Sequence, residues 1–499
     1  MELQFEKLTI SCLSPILREV RTLEQAQEIR LSDGMPDIGR VLCGWGQVIQ
    51  RSKEWAADSV SLTAGMLVWV LYAPEDGTEA RWEDGWIPFS ASWDLPQTAA
   101  EGTIRIACLT RFVDARSLSA RKIMVRAGIS VLCQAWIPGE GEIFTPGELP
   151  EGLELRRVKY PLRIPKEAGE KAFTLEEDLT LPGTAPTLGK AVYYTLEPEL
   201  QEQRVMGDKA VFRGSARLHL LYETEAGALR SQDFQLPFSQ FAELKESRSN
   251  EGEVSLILGV TALELECVDS THLRVKCGLA AQYLVDDLET LELIEDAYCL
   301  DRDLEVSRDV LDLGAVLETR RETLAAEQTV PGEGELALDV SFFPDFPRQR
   351  NLEDRVTQEL SGTFQVLYEG TDGSLQAAVS RWEGRMDLAA DPACRIAAEP
   401  LPGPEPQILM GGGDMKLRTE VPLGLRITAG EGIPMVTGLT LGEQKEPDED
   451  RPSLVLRRTE TGDLWQIAKD SGSTVEAIRS ANHLTEDPEA GRMLLIPIL

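Results

Sequence analysis

The run Val70-Leu71-Tyr72-Ala73-Pro74-Glu75-Asp76-Gly77 returns twice, as Leu220-Leu221-Tyr222-Glu223-Thr224-Glu225-Ala226-Gly227 and as Val366-Leu367-Tyr368-Glu369-Gly370-Thr371-Asp372-Gly373. The Tyr-to-Gly offset is the same each time. The copies lie about 150 residues apart, a domain-sized period rather than that of a solenoid. In the first copy Val68, Val70 and Tyr72 face one way and Leu67, Trp69 and Leu71 the other. Both faces are apolar, which predicts a strand buried on both sides. The second copy sets Leu218, Leu220 and Tyr222 against Arg217, His219 and Leu221, and the third sets Phe364, Val366 and Tyr368 against Thr363, Gln365 and Leu367. That alternation is a strand signal with one mostly polar face. Asp76-Gly77 and Asp372-Gly373 tolerate positive φ and predict hairpin turns.

The flanks repeat as well. Pro36-Asp37-Ile38-Gly39-Arg40 matches Pro186-Thr187-Leu188-Gly189-Lys190, with Val330-Pro331-Gly332 in the third copy. Ile87-Pro88-Phe89-Ser90 matches Leu236-Pro237-Phe238-Ser239, where the third copy reads Ser380-Arg381-Trp382-Glu383. Pro88-Phe89 and Pro237-Phe238 read as strand boundaries with a buried ring. Paired strand-like runs then close each repeat: Thr103–Thr110 with Lys122–Ala135, and Val254–Cys267 with His272–Leu284. In the third, a Pro/Gly-rich stretch from Pro400 to Gly413 precedes Lys416–Ile427. Near the start, Ile16, Val20 and Leu23 fall at helical spacing and predict one short helix. Gly139–Gly152 and Gly442–Pro452, rich in Gly, Pro, Glu and Asp, read as linkers.

The tail has a different period. Leu464, Ile467 and Ala468 line one helical face, and Val475, Ile478 and Ala481 line another. Asp463 with Gln466 caps the first helix, and Ser473 with Glu476 forms a capping box for the second. Leu494–Ile496 supplies a closing strand. The expected fold is mainly β: three tandem β-sandwich-like repeats and a small α+β (βααβ) module. The boundaries read 1–138, 153–300 and 301–441 for the repeats, 442–452 for an acidic, Pro-containing linker and 453–499 for the module.

The tail's islands are Gly462-Asp463, Leu464-Trp465-x-Ile467-Ala468, Thr474-Val475-x-x-Ile478, Ala481-Asn482-x-Leu484 and Leu495-Ile496-Pro497. In that order they resemble the LysM family. The family commonly has a Thr between the Asp and the Leu, and this chain has none. The shortened loop counts against N-acetylglucosamine binding. The repeats, with Leu-Tyr, Gly and Ile/Leu-Pro-Phe-Ser, resemble the SPOCS domain (DUF3794) of sporulating bacteria. Three such domains and a terminal LysM resemble the SipL-type spore coat morphogenetic proteins. The resemblance implies a scaffold in the mother cell, at the outer surface of the forespore. Its implied partner is the coat-basement ATPase, stage IV sporulation protein A, reached through the LysM region. The alternative is a LysM protein that holds peptidoglycan. The residues expected to meet partner or glycan are Thr461, Gly462, Asp463, Leu464, Asn482 and Leu484. The module's Trp465 is expected to pack internally.

Charge and composition fit a binding protein. Fifty Lys and Arg face 84 Asp and Glu, a formal net charge of -34. Such a surface repels phosphate backbones and anionic membranes, so nucleic-acid partners are not expected. No apolar run approaches the ~18 residues that insertion into a bilayer needs. Met1–Glu6 lacks the basic start and apolar core of a secretory signal, which predicts a cytoplasmic protein. The eight cysteines form no C-x-x-C pair and read as reduced, mostly buried hydrophobes. No metal or cofactor is expected.

Three histidines, His219, His272 and His483, are too few and too scattered for a catalytic set. No G-x-S-x-G, H-E-x-x-H or Walker-type loop occurs. Gly411-Gly412-Gly413 is followed by Asp414, which would repel phosphate. A non-enzymatic scaffold is the expectation, with the repeats as spacers or self-association surfaces.

Overall fold

Each copy of the repeated phrase ends the central strand of an antiparallel sheet, three-stranded in the first two repeats and four-stranded in the third. The computed structural model describes residues 2–249, 251–352, 355–391, 393–411, 413–430, 432–445, 452–459 and 463–499. In the first repeat, β1 (Phe5–Arg30), β6 (Lys122–Pro146) and β5 (Thr103–Ser119) form one sheet. The second sheet is β2 (Ile38–Trp55), β3 (Ser59–Pro74) and β4 (Arg81–Asp94), in that order. Side chains from both sheets fill one core, with Val60, Met66, Val68 and Val70 of β3 against Ile123, Val125, Ile129 and Val131 of β6. The second repeat copies this with β7 (Leu153–Thr180), β12 (His272–Cys299) and β11 (Glu253–Cys267), and with β8 (Leu188–Met206), β9 (Lys209–Thr224) and β10 (Leu229–Glu243).

The third repeat keeps the order but breaks two strands. β14 (Val316–Pro331) pairs with β21 (Asp414–Thr428), while β19 (Arg395–Pro400) and β20 (Gln407–Gly411) together take the place of β5. The Pro/Gly stretch therefore interrupts an edge strand. On the other sheet, β17 (Val356–Gly370) pairs with β18 (Leu375–Leu388) on one side, and with β15 (Gly334–Pro344) and β16 (Arg348–Asn351) in series on the other.

The phrase itself is a turn with a hydroxyl tie. Gly77, Gly227 and Gly373 hold φ of +72°, +86° and +76°, which a side chain would resist. The Tyr72 hydroxyl donates to the Pro36 carbonyl at 3.2 Å, and Tyr222 donates to Pro186 at 3.0 Å. This bond explains why the proline and the tyrosine keep one spacing. In the third repeat Tyr368 donates instead to Gln376 Oε1, at 3.0 Å.

Equivalent strands of the three repeats meet at one shared centre. By register, Cys43, Tyr193 and Asp339 occupy one position, opposite Leu71, Leu221 and Leu367. These leucines, with Cys43, Trp45, Trp69 and Tyr193, form a cluster drawn from all three repeats. The mostly polar face expected of β9 and β17 is thus turned to neighbouring repeats. Asp339, 4% exposed, accepts from Trp45 Nε1 at 3.0 Å and from the Tyr193 hydroxyl at 2.8 Å. His219 Nε2 lies 2.8 Å from Asp339 and its Nδ1 lies 2.6 Å from Asp233. Burial would depress the imidazole pKa, but the hydrogen bonds to Asp233 and Asp339 outweigh it and raise the value to about 9. Burial would likewise raise the Asp339 carboxyl. The hydrogen bond and charge of His219, with the Tyr193 and Trp45 donors, hold it below the usual range.

Side-chain amides and ion pairs join the repeats elsewhere. Gln282 of the second repeat reads the open edge of β5, accepting from Ile106 N at 2.7 Å and donating to Ile106 O at 2.8 Å. Arg111 pairs with Asp345 at 2.8 Å, and Arg426 Nη2 with Asp286 at 2.7 Å.

The first and last strands run on beyond the sandwiches. Register shifts at Pro15/Leu17 and at Val285/Asp286 mark bulges that let strands of 25–28 residues bend. Past the bulges, β1 with β6 and β7 with β12 make two ribbons. A third comes from β13 (Arg302–Leu311) with β22 (Ile433–Gln444). The ribbons share cores such as Cys12, Ile143, Leu162, Leu291, Leu311 and Met435. Leu3 N donates to Leu439 O at 3.0 Å, so the residues just before β1 close onto β22, the last strand of the third repeat.

Three local expectations need correction. Ile16, Val20 and Leu23 lie in strand β1, not a helix. The long partner β6 satisfies the β1 backbone along its length, and Leu17 and Leu23 reach the first core. Residues 139–146, expected within a linker, end β6 and pair with β1, residues 442–444 of the other expected linker end β22, and 446–451 lie outside the described residues. Pro88 and Pro237 fall inside β4 and β10 rather than at strand ends. Both are edge strands, where a missing N–H can point away from the ladder. The rings of Phe89 and Phe238 are buried as expected.

No disulfide forms. Five cysteines are buried, Cys108 and Cys394 are half-buried and Cys267 is exposed. No helix among the described residues is long and apolar enough to cross a membrane.

Candidate functional site

The tail folds as β23 (Leu454–Arg458), α1 (Leu464–Ser471), α2 (Val475–Asn482) and β24 (Met493–Pro497), the expected βααβ order. Its core is small: Leu464, Ile467, Ala468, Ile478, Leu494 and Ile496. Asp463 caps α1, its Oδ1 accepting from Trp465 N at 3.0 Å and Gln466 N at 3.4 Å. The cap of α2 is Thr474, not Ser473. Thr474 Oγ1 accepts from Ala477 N at 3.0 Å. Ser473 is fully buried, and its carbonyl accepts the Tyr298 hydroxyl at 2.8 Å. The residue expected to cap is therefore used as a point of attachment.

That attachment defines the site. The module sits on the ribbon of β7 and β12. Trp465, expected to pack internally, meets Tyr298 edge to face, with centroids 4.8 Å apart, and its Nε1 donates to Asp296 at 2.9 Å. Lys469 Nζ reaches Asp296 at 2.6 Å, and Arg308 reaches it from β13 at 2.6 Å. Burial would raise the Asp296 carboxyl, but hydrogen bonds from Lys469 and Trp465 hold it below the usual range. Burial pushes the Tyr298 phenol well above its usual value. Arg156 of β7 bridges the module's Asp463 and its own neighbour Glu295, each at 3.2 Å. Sequence reasoning missed Arg156, Asp296 and Tyr298, because they lie roughly 170–310 positions from their partners.

The expected contact residues do not form one exposed set. Thr461 and Gly462 lie outside the described residues. Asp463 is half-exposed and engaged by Arg156. Leu464, 2% exposed, is a core residue and cannot meet a partner. Asn482 clamps β24: its Nδ2 donates to Leu495 O at 2.5 Å and its Oδ1 accepts from Leu495 N at 2.7 Å. Leu484 is half-buried against the module core. Among the described residues, no cluster of three or more His, Cys, Asp or Glu could hold a metal.

Two families match the chain. Residues 189–268 match the SipL, SPOCS domain family, and residues 463–497 match the LysM domain family. The first match spans β8 to the end of β11 in the second repeat, the strand order that the first repeat copies. The second covers the helices and the closing strand of the tail. Both are binding rather than catalytic domains. No curated protein and no solved structure matches the chain. The chain thus carries a SipL, SPOCS domain in its second repeat and a LysM domain at its C-terminal end, the pair of domains that supports a SipL-type protein.

Proposed function

We propose that this sporulation protein is a non-enzymatic assembly factor of the spore envelope. It docks through its LysM domain onto a coat-basement protein, an ATPase of the stage IV sporulation protein A type. It acts in the mother-cell cytoplasm, at the forespore surface. Under this reading the three repeats form the body and 453–499 the docking end. The observation that carries it is the use of the module's first loop. Asp463 and Trp465 are taken up by Arg156, Tyr298 and Asp296, which leaves that side of the module less open to a sugar chain. A LysM domain is also a peptidoglycan-binding type of module, so glycan is the second reading.

The full-length chain, immobilised, is offered the host's coat-basement ATPase and purified peptidoglycan fragments in parallel. Saturable binding of the ATPase alone is the expected result. Binding of the fragments alone would replace this reading with the glycan one.

A further inference from the structure

Much of the module's surface is already committed. Asp463, Trp465, Lys469 and Ser473 face the second repeat, and Asn482 closes the backbone edge of β24 at Leu495. The outer face of the β23–β24 ribbon stays open. The pairs Leu454–Pro497, Leu456–Leu495 and Arg458–Met493 place alternate residues on that face. Leu494 and Ile496, on the inner face, are fully buried. On the outer face Leu454 is 52% exposed, Leu456 61%, Met493 49% and Leu495 39%. A contiguous apolar row on both strands of so small a sheet marks an interaction surface.

Its charge is unlike that of the rest of the chain. The ten strand residues include two arginines and no carboxylate, in a protein with 84 Asp and Glu. Arg458 continues the row of Leu454 and Leu456. Neither it nor Arg492, in the adjoining turn, pairs with a carboxylate among the described residues.

We propose that this face binds an apolar segment of another protein edged by Asp or Glu side chains. The apolar residues cover the leucine row while the carboxylates meet Arg458 and Arg492. Opposite charge at the rim steers the encounter and fixes its register. A second copy fits worse, because two such faces would oppose their arginines and each chain carries a net charge of -34. Asn482 closes the free edge of β24, and the exposed leucine row assigns the segment to the face of the ribbon. The inference rests on the docking reading above and names the surface that would serve it.

Two synthetic helical peptides test it, with one leucine stripe bordered by Glu in the first and by Lys in the second. Fluorescence anisotropy measures each against the full-length chain and its Leu456→Asp and Arg458→Glu variants. Both side chains are exposed, so neither change disturbs packing. The Glu-edged peptide is expected to bind the native chain and to lose about tenfold or more on Leu456→Asp. Arg458→Glu should reverse the preference in favour of the Lys-edged peptide. Equal binding of both peptides by the native chain, or full binding by Leu456→Asp, overturns the proposal. So does a dimer in sedimentation equilibrium that dissolves on Leu456→Asp, which would give the face to a second copy. Failure of the docking reading looks different: the chain would take peptidoglycan alone, while the peptide results still support the face.

Discussion

Tyr298 of the second repeat and Trp465 of the terminal module meet edge to face at 4.8 Å, although 167 positions separate them in the chain. The Tyr298 hydroxyl also holds the Ser473 carbonyl. Such an aromatic pair contributes roughly 0.5–1.5 kcal/mol beyond area burial, and the hydrogen bond about 1 more. Tyr298→Ala should therefore loosen the module without unfolding the repeats. Hydrogen exchange in α1 is expected to quicken by tenfold or more, with exchange in β3 and β9 unchanged. Equal α1 protection in both chains would show that the docking contact carries no energy.

Asp339 is a buried charge with three side-chain donors from two other repeats. Asp339→Ala removes the shared acceptor and strands Trp45 Nε1, the Tyr193 hydroxyl and the His219 ring. Breaking such a buried network costs about 3–5 kcal/mol. Urea unfolding should show that loss, against less than about 1.5 kcal/mol for Ser341→Ala, whose hydroxyl reaches Asp339 at 3.2 Å. A loss on Asp339→Ala as small as that of Ser341→Ala would remove the network from the account of how the repeats cohere.

His219 gives the body a pH dependence. Its folded pKa is raised to about 9, above the ~6.5 of an unfolded histidine. The stabilisation is fully present below pH ~6.5 and is lost as pH rises through about 9. Thermal stability should fall between pH 7 and 10, by an amount on the order of 2–3 kcal/mol, and His219→Gln should flatten that fall. An identical pH profile in the variant would place the titration elsewhere.

The tyrosine tie gives a paired test. Tyr72→Phe and Tyr222→Phe each delete one hydroxyl bond to a proline carbonyl and leave the ring in place. Each should cost about 0.5–1.5 kcal/mol in chemical denaturation. Native stability in both variants would leave the shared Pro-to-Tyr spacing without an energetic reason.

Removal of residues 453–499 should leave the repeat cores folded, since none of the clusters of the three sandwiches includes a module residue. Cooperative melting of the shortened chain is the expected outcome. A broad, non-cooperative transition would make the module part of the folding unit.

The repeats were legible because their marks are local. The Tyr-to-Gly spacing encodes a turn, the glycines take positive φ there, and the upstream proline is the hydroxyl's acceptor. The module was legible for the same reason, as its cap and helical faces lie within a few residues of one another. What stayed hidden depends on distant partners. Alternation along β9 puts His219 on the mostly polar side of a strand, and only the meeting of three repeats makes that side an interior. Helical spacing at Ile16, Val20 and Leu23 lost to a partner strand more than 100 positions away. Ser473, expected to cap α2, yields that place to Thr474, while the Ser473 carbonyl accepts the hydroxyl of Tyr298, a partner 175 positions away.

The hydrogen bond from Leu3 to Leu439 bears on how the molecule carries load. Tandem domains strung in series unravel one at a time when their ends are pulled. Here the residues just before β1 and the last strand of the third repeat are fastened side by side. Tension applied between residue 3 and the module would fall first on that clasp and on the Trp465 contact. The sandwiches would stay outside the line of force until the clasp had sheared.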